Sequence, residues 1–408
     1  MLMSMSSPVR DQVGPPGAAL RPPPIRVVFV LSKFSVGGAE KQLANLITHR
    51  PTNRSEVEVH AFTFLPPTSR EVQRRFEDAG ARCTLIDRSA TSFPVFFLRL
   101  VTTMLRVRPH LVSTILDSSV GAWGRLAAWI ARVPVIVHSD RLLATEGTRA
   151  HYLLRPYLDR ATTRFLPNAQ AIADRLVCNG VPAAKIRVMP NGVDLDAFSV
   201  ATVSSMRSRL GVDRDDTVLG FVGRLVPQKR VDLLLTALLR VPVADRPSRV
   251  VLAGGGPQEA SLRSQVTEDP WLSQHCTFLG VLDDVADLLA GIDYLVLPSD
   301  SEGLPNVVLE AMAMAKPVIS TRVSDVADVL GDTGVTVPVG DAEALADAIR
   351  GFERMTREDR SALGARARQR VERVYDIRIR ARDFWDAHLE CVHERLPHLA
   401  VPGSGGAP

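Results

Sequence analysis

The stretch SEGLPNVVLEAMAMAKPVIS, residues 301–320, sets two carboxylates, Glu302 and Glu310, on either side of a Gly-Leu-Pro-Asn turn. Gly303 and Pro305 break any helix running through Glu302. Pro305 itself suits a first helical position, where its missing N–H would have had no partner. Glu302 therefore belongs to a loop and Glu310 to the helix that follows, near 305–315. The apolar runs YLVLPS (294–299) before it and PVIST (317–321) after it read as strands. Together they make a strand, helix, strand unit of the kind that builds a parallel sheet.

The same alternation extends in both directions. Towards the amino end of the chain lie IRVVFVL (25–31), VEVHAFTF (57–64), CTLID (83–87), HLVSTIL (110–116), VPVIVHS (133–139), TRFLPN (163–168) and IRVMPNGVD (186–194). Short β-branched runs between helical segments read as buried strands of an open parallel sheet with helices on both faces. The pattern then restarts with TVLGFVGRL (217–225), SRVVLAGGG (248–256) and CTFLG (276–280), with helices near 229–240, 257–267 and 283–290. A polar, poorly periodic segment near 195–216 is the expected hinge. A last helix, roughly Asp376 to Leu396, carries Phe384, Trp385, Leu389 and Val392 at helical spacing and must pack on something. The expected organisation is a disordered tail at 1–24, two similar α/β units at 25–200 and 201–378 facing a cleft, and a carboxyl-terminal helix at 379–400.

Composition agrees with a globular chain. Its 408 residues exceed one ordinary core, 46% of them are apolar, and no apolar run approaches the roughly 18 residues of a membrane span. The four cysteines, Cys83, Cys178, Cys276 and Cys391, are scattered singly, which fits a reducing cytoplasm and offers no zinc or redox motif. The proline-rich start lacks the build of a signal peptide. A net charge of +4 permits an anionic ligand or membrane surface, and no basic-aromatic stripe points to nucleic acid.

Several strand ends carry chemistry. In LSKFSVGGAEKQLANLI, Gly37 and Gly38 stand between a strand and its helix, where backbone N–H groups can approach an anion, although a tight turn needs glycine anyway. In FVGRLVPQKR, Arg224 and Lys229 lie past the first strand of the second unit, at the edge where open α/β sheets bind ligands. Two cations there suit a diphosphate, Arg through forked hydrogen bonds and Lys as a mobile charge. VLAGGGP repeats the logic with Gly254, Gly255 and Gly256 before a helix expected to start at Pro257, and a plain tight turn explains it equally well. Beside Glu302 and Glu310, a helix start can face phosphates and the acids can accept hydrogen bonds from sugar hydroxyls. The plainer alternative is a solvated loop acid and a helix-surface acid, but Glu310 sits in the apolar run VVLEAMAMA, where a carboxylate without a partner is costly.

The run FLGVLDDVADLLAGIDYLVLPSDSEGLPNVVLEAMAMAKPVIST resembles the nucleotide-sugar-binding half of the family 4 retaining glycosyltransferases, also grouped as group 1 glycosyl transferases, which have the GT-B fold. The acid pair matches their E-x7-E signature, and GGAEKQ, MPNGVD, GRLVPQK and GGGP follow in the family's order, over roughly residues 25 to 395. The resemblance implies two Rossmann-like doubly wound domains and transfer of a hexosyl unit from a nucleotide diphosphate sugar to a hydroxyl acceptor, in polysaccharide or glycolipid synthesis. It places Glu302 on the donor hexose with Gly303 and Leu304, and Glu310 on the ribose. Arg224 and Lys229 fall on the diphosphate, with Gly256 beside it and Gly37 and Gly38 approaching from the other domain. It implies no metal and no cofactor.

Many members carry a histidine after the fourth strand of the first domain. STILDSSVGAWGRLAA has none there, and Asp117, Ser118 or Ser119 stand nearest; either one of these replaces it, or His138 or Asp140 in VHSDR does, or the group is dispensable. The helix FPVFFLRLVTTMLRVR (93–108) sets Phe93, Phe96, Phe97, Leu100, Val101 and Met104 on one stripe with Arg99 and Arg106 opposite; it is best read as covering the sheet with that stripe, and it also allows a peripheral contact with an anionic membrane, the inner face in a cytoplasmic enzyme. Partners are then the sugar nucleotide and a saccharide or lipid-linked acceptor. An epimerase of the same architecture and a non-enzymatic sugar-nucleotide-binding protein are the competing functions.

Overall fold

The computed structural model describes residues 24–399 except 52–56, 116–118, 142–148, 203 and 283. The chain builds a first sheet from β1 (Ile25–Leu31), β2 (Val57–Thr63), β3 (Arg82–Leu85), β4 (Leu111–Ile115), β5 (Val135–Ser139) and β6 (Arg164–Phe165). A second sheet follows from β7 (Val218–Val222), β8 (Arg249–Ala253), β9 (Cys276–Gly280), β10 (Tyr294–Leu297), β11 (Val318–Thr321) and β12 (Gly334–Val337). Their orders are β3-β2-β1-β4-β5-β6 and β12-β11-β10-β7-β8-β9, so each sheet repeats one doubly wound topology. Every paired strand is parallel to its neighbours.

Helices cover both faces of each sheet because parallel strands expose apolar side chains on both sides. In the first sheet Val28 and Val30 face one apolar cluster with Phe96, Leu100 and Met104, while Val27, Phe29 and Leu31 face the other. The helix Phe93–Val107 thus covers the sheet with Phe96, Leu100, Val101 and Met104, whereas Phe93, expected in the same stripe, stays exposed in the first turn and Phe97 is half-buried. The second sheet is likewise held between two clusters, and its outer layer includes the helices Ala342–Arg354 and Arg357–Val374.

The helix Ile377–Arg395 leaves the second unit and packs on the first. Trp385 is fully buried and its indole N–H donates to the Leu46 carbonyl at 2.8 Å. Phe384 stacks on Phe29 of β1 at 6.0 Å, and His388 Nε2 meets Ser113 Oγ of β4 at 3.1 Å. Burial, with a smaller push from the Arg141 charge, lowers the His388 imidazole to about 4 against its hydrogen bond to the Phe384 carbonyl.

Several expectations need correction. Residues 186–194 form no strand: Pro190 and Gly192 interrupt the run, and only the single bridges Phe165↔Ile186 and Val193↔Asp376 remain. β12, GVTV, was not anticipated, since it is a short, half-exposed edge strand with a leading glycine. The helix expected from Pro257 starts at Glu259. The segment 195–216 is not a free hinge but is fastened to the second unit. There Ser204 Oγ donates to the Asp287 carbonyl at 2.7 Å, Arg207 pairs with Asp293 at 3.0 Å, and Met206 is buried. The chain crosses between units where Val193 exchanges backbone hydrogen bonds with Tyr375 and Ile377, at 2.8 and 2.9 Å.

Candidate functional site

In the second sheet the strand order reverses between β7 and β10, and a crevice opens outside the carboxyl ends of such a pair. The loop after β7 carries Arg224 and Lys229, and the loop after β10 carries Glu302. Lys229 Nζ meets Glu302 Oε1 at 2.5 Å, with only 13% and 10% of the two side chains exposed. The basic loop is therefore not simply solvated: Lys229 turns inward while Arg224 stays exposed, with no ion-pair partner among the described residues. Further contacts lace the two loops together. Asp300 N–H donates to the Gln228 carbonyl at 2.9 Å, the Gln228 amide donates to the Ser301 carbonyl, and Arg230 pairs with Asp300 at 3.0 Å.

The glycines after β8 serve a close backbone approach. Gly254 has φ +137° and Gly256 φ +158°. A Cβ on Gly254 would lie 1.8 Å from the Gly223 carbonyl oxygen, and one on Gly256 would lie 2.3 Å from that of Leu225. They press the β8 loop onto the Arg224 loop, so their first role is to shape the wall beside the cations.

Glu302 lies in the loop and Glu310 in the following helix, Asn306–Ala313. That helix starts after Pro305, which has no side-chain cap to offer, so its first N–H groups stay open to an anion. The Glu310 side chain makes no hydrogen bond among the described residues. Burial pushes its carboxyl up to about 7, against the pull of the Lys41 ammonium. Lys41 belongs to the opposite unit, on the helix Gly38–Thr48.

The first unit closes directly over this site. Asn306 Nδ2 donates to the Gly38 carbonyl at 3.0 Å. Gly37 is the N-cap of its helix and has no side chain with which to cap it. Asn191, buried at the crossing segment, donates to the Leu304 carbonyl at 2.8 Å and to Asn306 Oδ1 at 2.7 Å, and accepts from Arg141 at 2.9 Å. Gly303 sits against first-unit backbone, where a Cβ would come within 2.5 Å of the Arg141 carbonyl oxygen. Asp325 reaches across to cap the helix Gln170–Cys178, accepting from the N–H groups of Gln170 at 2.5 Å and Ala171 at 3.1 Å.

Glu302, Lys229, Gly303, Leu304, Asn306 and Gly38 thus meet at one place, with Gly37 and Glu310 at its edge and Arg224 and Gly256 on the rim. Asn191, Arg141 and Asp325 were not singled out from sequence. Asn191 and Asn306 stand inside the quoted MPNGVD and EGLPN runs, and a polar amide in each loop was the available signal. On the acceptor side, Asp117 and Ser118 lie outside the described residues, as does the Ser119 side chain. His138 is buried, 2.7 Å from Thr114 Oγ1 and edge-on to Phe165 at 6.0 Å, and Asp140 is ion-paired with Arg175. Burial lowers the Arg141 guanidinium to about 10, opposed by Glu40. Among the described residues no cluster of three or more His, Cys, Asp or Glu could hold a metal ion.

Lysine beside an exposed arginine and an open helix start can hold a diphosphate, while Glu302 in contact with that lysine and Glu310 one turn into the helix from Asn306 can accept hydrogen bonds from hydroxyls. Comparison with known proteins agrees with this chemistry. D-inositol 3-phosphate glycosyltransferase of Mycobacteroides abscessus is 32% identical over 248 residues, 55% of this chain and 55% of that one. Sulfoquinovosyl transferase SQD2 of Arabidopsis thaliana is 29% identical over 316 residues, 70% of this chain and 60% of that one. The chain thus spans little more than half the length of these curated relatives. The structure of HepE from Anabaena in complex with UDP-glucose superposes with a TM-score of 0.77 at 21% identity, covering 90% of this chain and 99% of that one, which shows a shared GT-B fold. Residues 36–197 match the Glycosyltransferase Family 4 model and residues 216–352 the Glycosyl transferases group 1 model. With one family's two halves matched in order on the two sheets that form this cleft, the chain belongs to the group 1 glycosyl transferases.

Proposed function

We propose that the chain transfers a hexosyl unit from a nucleotide diphosphate sugar to a hydroxyl acceptor, with retention of anomeric configuration, in polysaccharide or glycolipid synthesis. The observation that carries this reading is the meeting of Lys229 and Glu302 at the switch point of the second sheet, under a lid formed by Gly38 and Asn191 of the first. An ammonium has three N–H donors. With one on Glu302, two remain for the phosphate oxygens, so Lys229 can bind the diphosphate while it orients the acid. Glu302 then contacts the hexose beside Gly303 and Leu304, and Glu310 the ribose. Arg224, free on the rim, adds the second cation. Stabilising the leaving diphosphate by Lys229, Arg224 and the open helix start at Asn306 is charge stabilisation of the transition state.

The relatives support this choice of substrates. One is named for UDP-galactose and a diphosphoundecaprenol-linked acceptor, in Escherichia coli, at 31% identity over 222 residues. A lipid-linked or saccharide acceptor fits the first unit here. The helix Phe93–Val107 turns a second row outward, Val95, Leu98 and Leu105 at 42, 63 and 52% exposure, beside exposed Arg99 and Arg106. It contains no acidic residue, which suits a peripheral contact with an anionic leaflet from the cytoplasmic side. Among the described residues no helix is long and apolar enough to cross a membrane.

A thermal-shift screen of UDP-, GDP- and ADP-sugars tests the donor. One of them at about 100 times its dissociation constant should add roughly 2.7 kcal/mol of stability. Silence from every sugar nucleotide and every free nucleoside diphosphate would sink the reading. Proton NMR of the product then decides retention, since a β-linked product from an α-linked donor contradicts it.

A further inference from the structure

The first sheet also reverses its order, between β1 and β4. At the carboxyl ends of its strands lies a cavity of about 230 Å³ lined by Ser32, Phe64, Leu65, Arg88, Ser89 and Val120. Ser32 follows β1, Leu65 follows β2, Arg88 follows β3, and Val120 opens the helix after β4. The cavity therefore spans the crevice at which doubly wound sheets take ligands. It is smaller than the roughly 300–1,000 Å³ of a complete small-molecule site, which leaves room for a head group rather than a whole glycolipid.

Its chemistry is one-sided. The exposed Arg88 side chain has no hydrogen bond or ion pair among the described residues. The neighbouring acid, Asp87, accepts instead from the Ser89 N–H at 2.8 Å and the Ser89 hydroxyl at 2.6 Å. The Ser32 hydroxyl is likewise without a hydrogen bond among the described residues. The apolar wall continues outward, from Phe64 to Phe96 at 4.9 Å, to Phe93 at 6.1 Å, and to Trp123 at 4.7 Å from Phe93. One unpaired guanidinium, one free hydroxyl and an aromatic path to the outward row of the helix Phe93–Val107 describe a polar head with an apolar neighbour.

We propose that this cavity seats a phosphate group of the acceptor, held by the Arg88 fork and the Ser32 hydroxyl, with the acceptor's apolar portion leaving along Phe93 and Leu98. This rests on the transferase reading and names the acceptor class, a phosphate-bearing acceptor. Arg suits the task because its planar donors match two phosphate oxygens at once.

Calorimetry on the full chain, saturated with the nucleoside diphosphate chosen by the thermal-shift screen, tests the assignment with two phosphate probes and their dephosphorylated controls. Glycerol 3-phosphate and farnesyl phosphate should bind about tenfold or more tightly than glycerol and farnesol. Arg88→Ala should weaken both phosphate probes about tenfold, and Arg88→Lys should weaken them less, because a point charge survives without the fork. Nucleoside diphosphate affinity should stay the same in both variants. A farnesyl phosphate preference over glycerol 3-phosphate assigns a lipid-borne acceptor, and equal affinities assign a soluble one. Phosphate probes that bind no better than their controls, or an Arg88→Ala variant within about twofold of wild type, would overturn the proposal. If the nucleoside diphosphate itself fails to bind, the transferase reading falls separately, and the same titrations on Lys229→Ala without nucleotide still decide the cavity.

Discussion

The first and second sheets have one strand order and one kind of apolar sandwich, yet their ligand edges have opposite character. At the switch point of the second stand two cations and two acids, with Lys229 and Glu302 in contact. At that of the first stand two serines, apolar walls and one arginine, Arg88, whose side chain has no partner among the described residues. The cores differ as well, since the second unit closes over its sheet with its own helices, whereas the first borrows Ile377–Arg395 from the end of the chain. A shared topology therefore supplies the crevice twice, and the residues at the strand ends decide what each crevice holds.

The largest expected effect concerns the borrowed helix. Trp385→Ala removes a fully buried indole and its hydrogen bond to Leu46, which should lower stability by about 3–5 kcal/mol. Because the loss falls on the first unit, nucleoside diphosphate affinity measured well below the melting range should stay within about threefold. Calorimetric melts beside nucleotide titrations make the check, and an equal collapse of nucleotide binding would erase the distinction between the cores.

Glu310 sharpens the contrast in charge. Burial raises its folded value from 4.5 to about 7, so the unfolded chain ionises first. The carboxyl costs no stability below the lower value, and its cost grows as pH rises between the two and then stays constant. Glu310→Gln should therefore stabilise the unliganded protein by on the order of 3 kcal/mol above pH 7 and leave it unchanged near pH 4. The same variant should weaken nucleoside diphosphate binding. Parallel melts at the two pH values decide, and a pH-independent difference would show that the carboxyl is not buried in this way.

Glu302→Gln separates sugar from phosphate. Turnover should fall by about a hundredfold or more, roughly 2.7 kcal/mol, while nucleoside diphosphate affinity stays within about threefold. Lys229→Ala should lower both. Turnover assays with calorimetry on the two variants make the test, and a Glu302 variant that loses nucleotide as badly as Lys229→Ala would merge the roles assigned to them.

The smallest effect is expected where the units touch. Asp325 of the second caps a helix of the first, so Asp325→Ala should cost about 1 kcal/mol of closure. Solution scattering without ligand should show a larger radius for this variant than for wild type, and saturating nucleotide should remove the difference. Identical curves would mean that Asp325 does not help to hold the closed state.

Much of this was legible beforehand where the chemistry is local. Parallel strands buried on both faces must be apolar runs, which made the inner strands visible in the sequence; the partly exposed edge strands β3 and β9 were found as well, and only β12, four residues opened by a glycine, escaped. The run 186–194 misled because it is apolar at its start, yet Pro190 cannot donate to a ladder and Asn191 is engaged across the cleft instead. Site residues tied to a turn or a strand end were found. Those whose role depends on the facing unit were not: Asn191 and Asn306 lie 115 positions apart, and Gln170 and Asp325 lie 155 apart.

By itself, then, the sequence determined two doubly wound units, a loop acid at Glu302 and a helix acid at Glu310, because glycine, proline and apolar spacing act within a few residues of the backbone they shape. Only the tertiary structure decided that Lys229 turns in to Glu302 while Arg224 faces out, that Arg88 in the first crevice has no side-chain partner among the described residues, and that Glu310 holds its proton up to about 7. Pairing and desolvation depend on which distant atoms displace water from a charge, and those neighbours are fixed only when the two sheets have closed on one another.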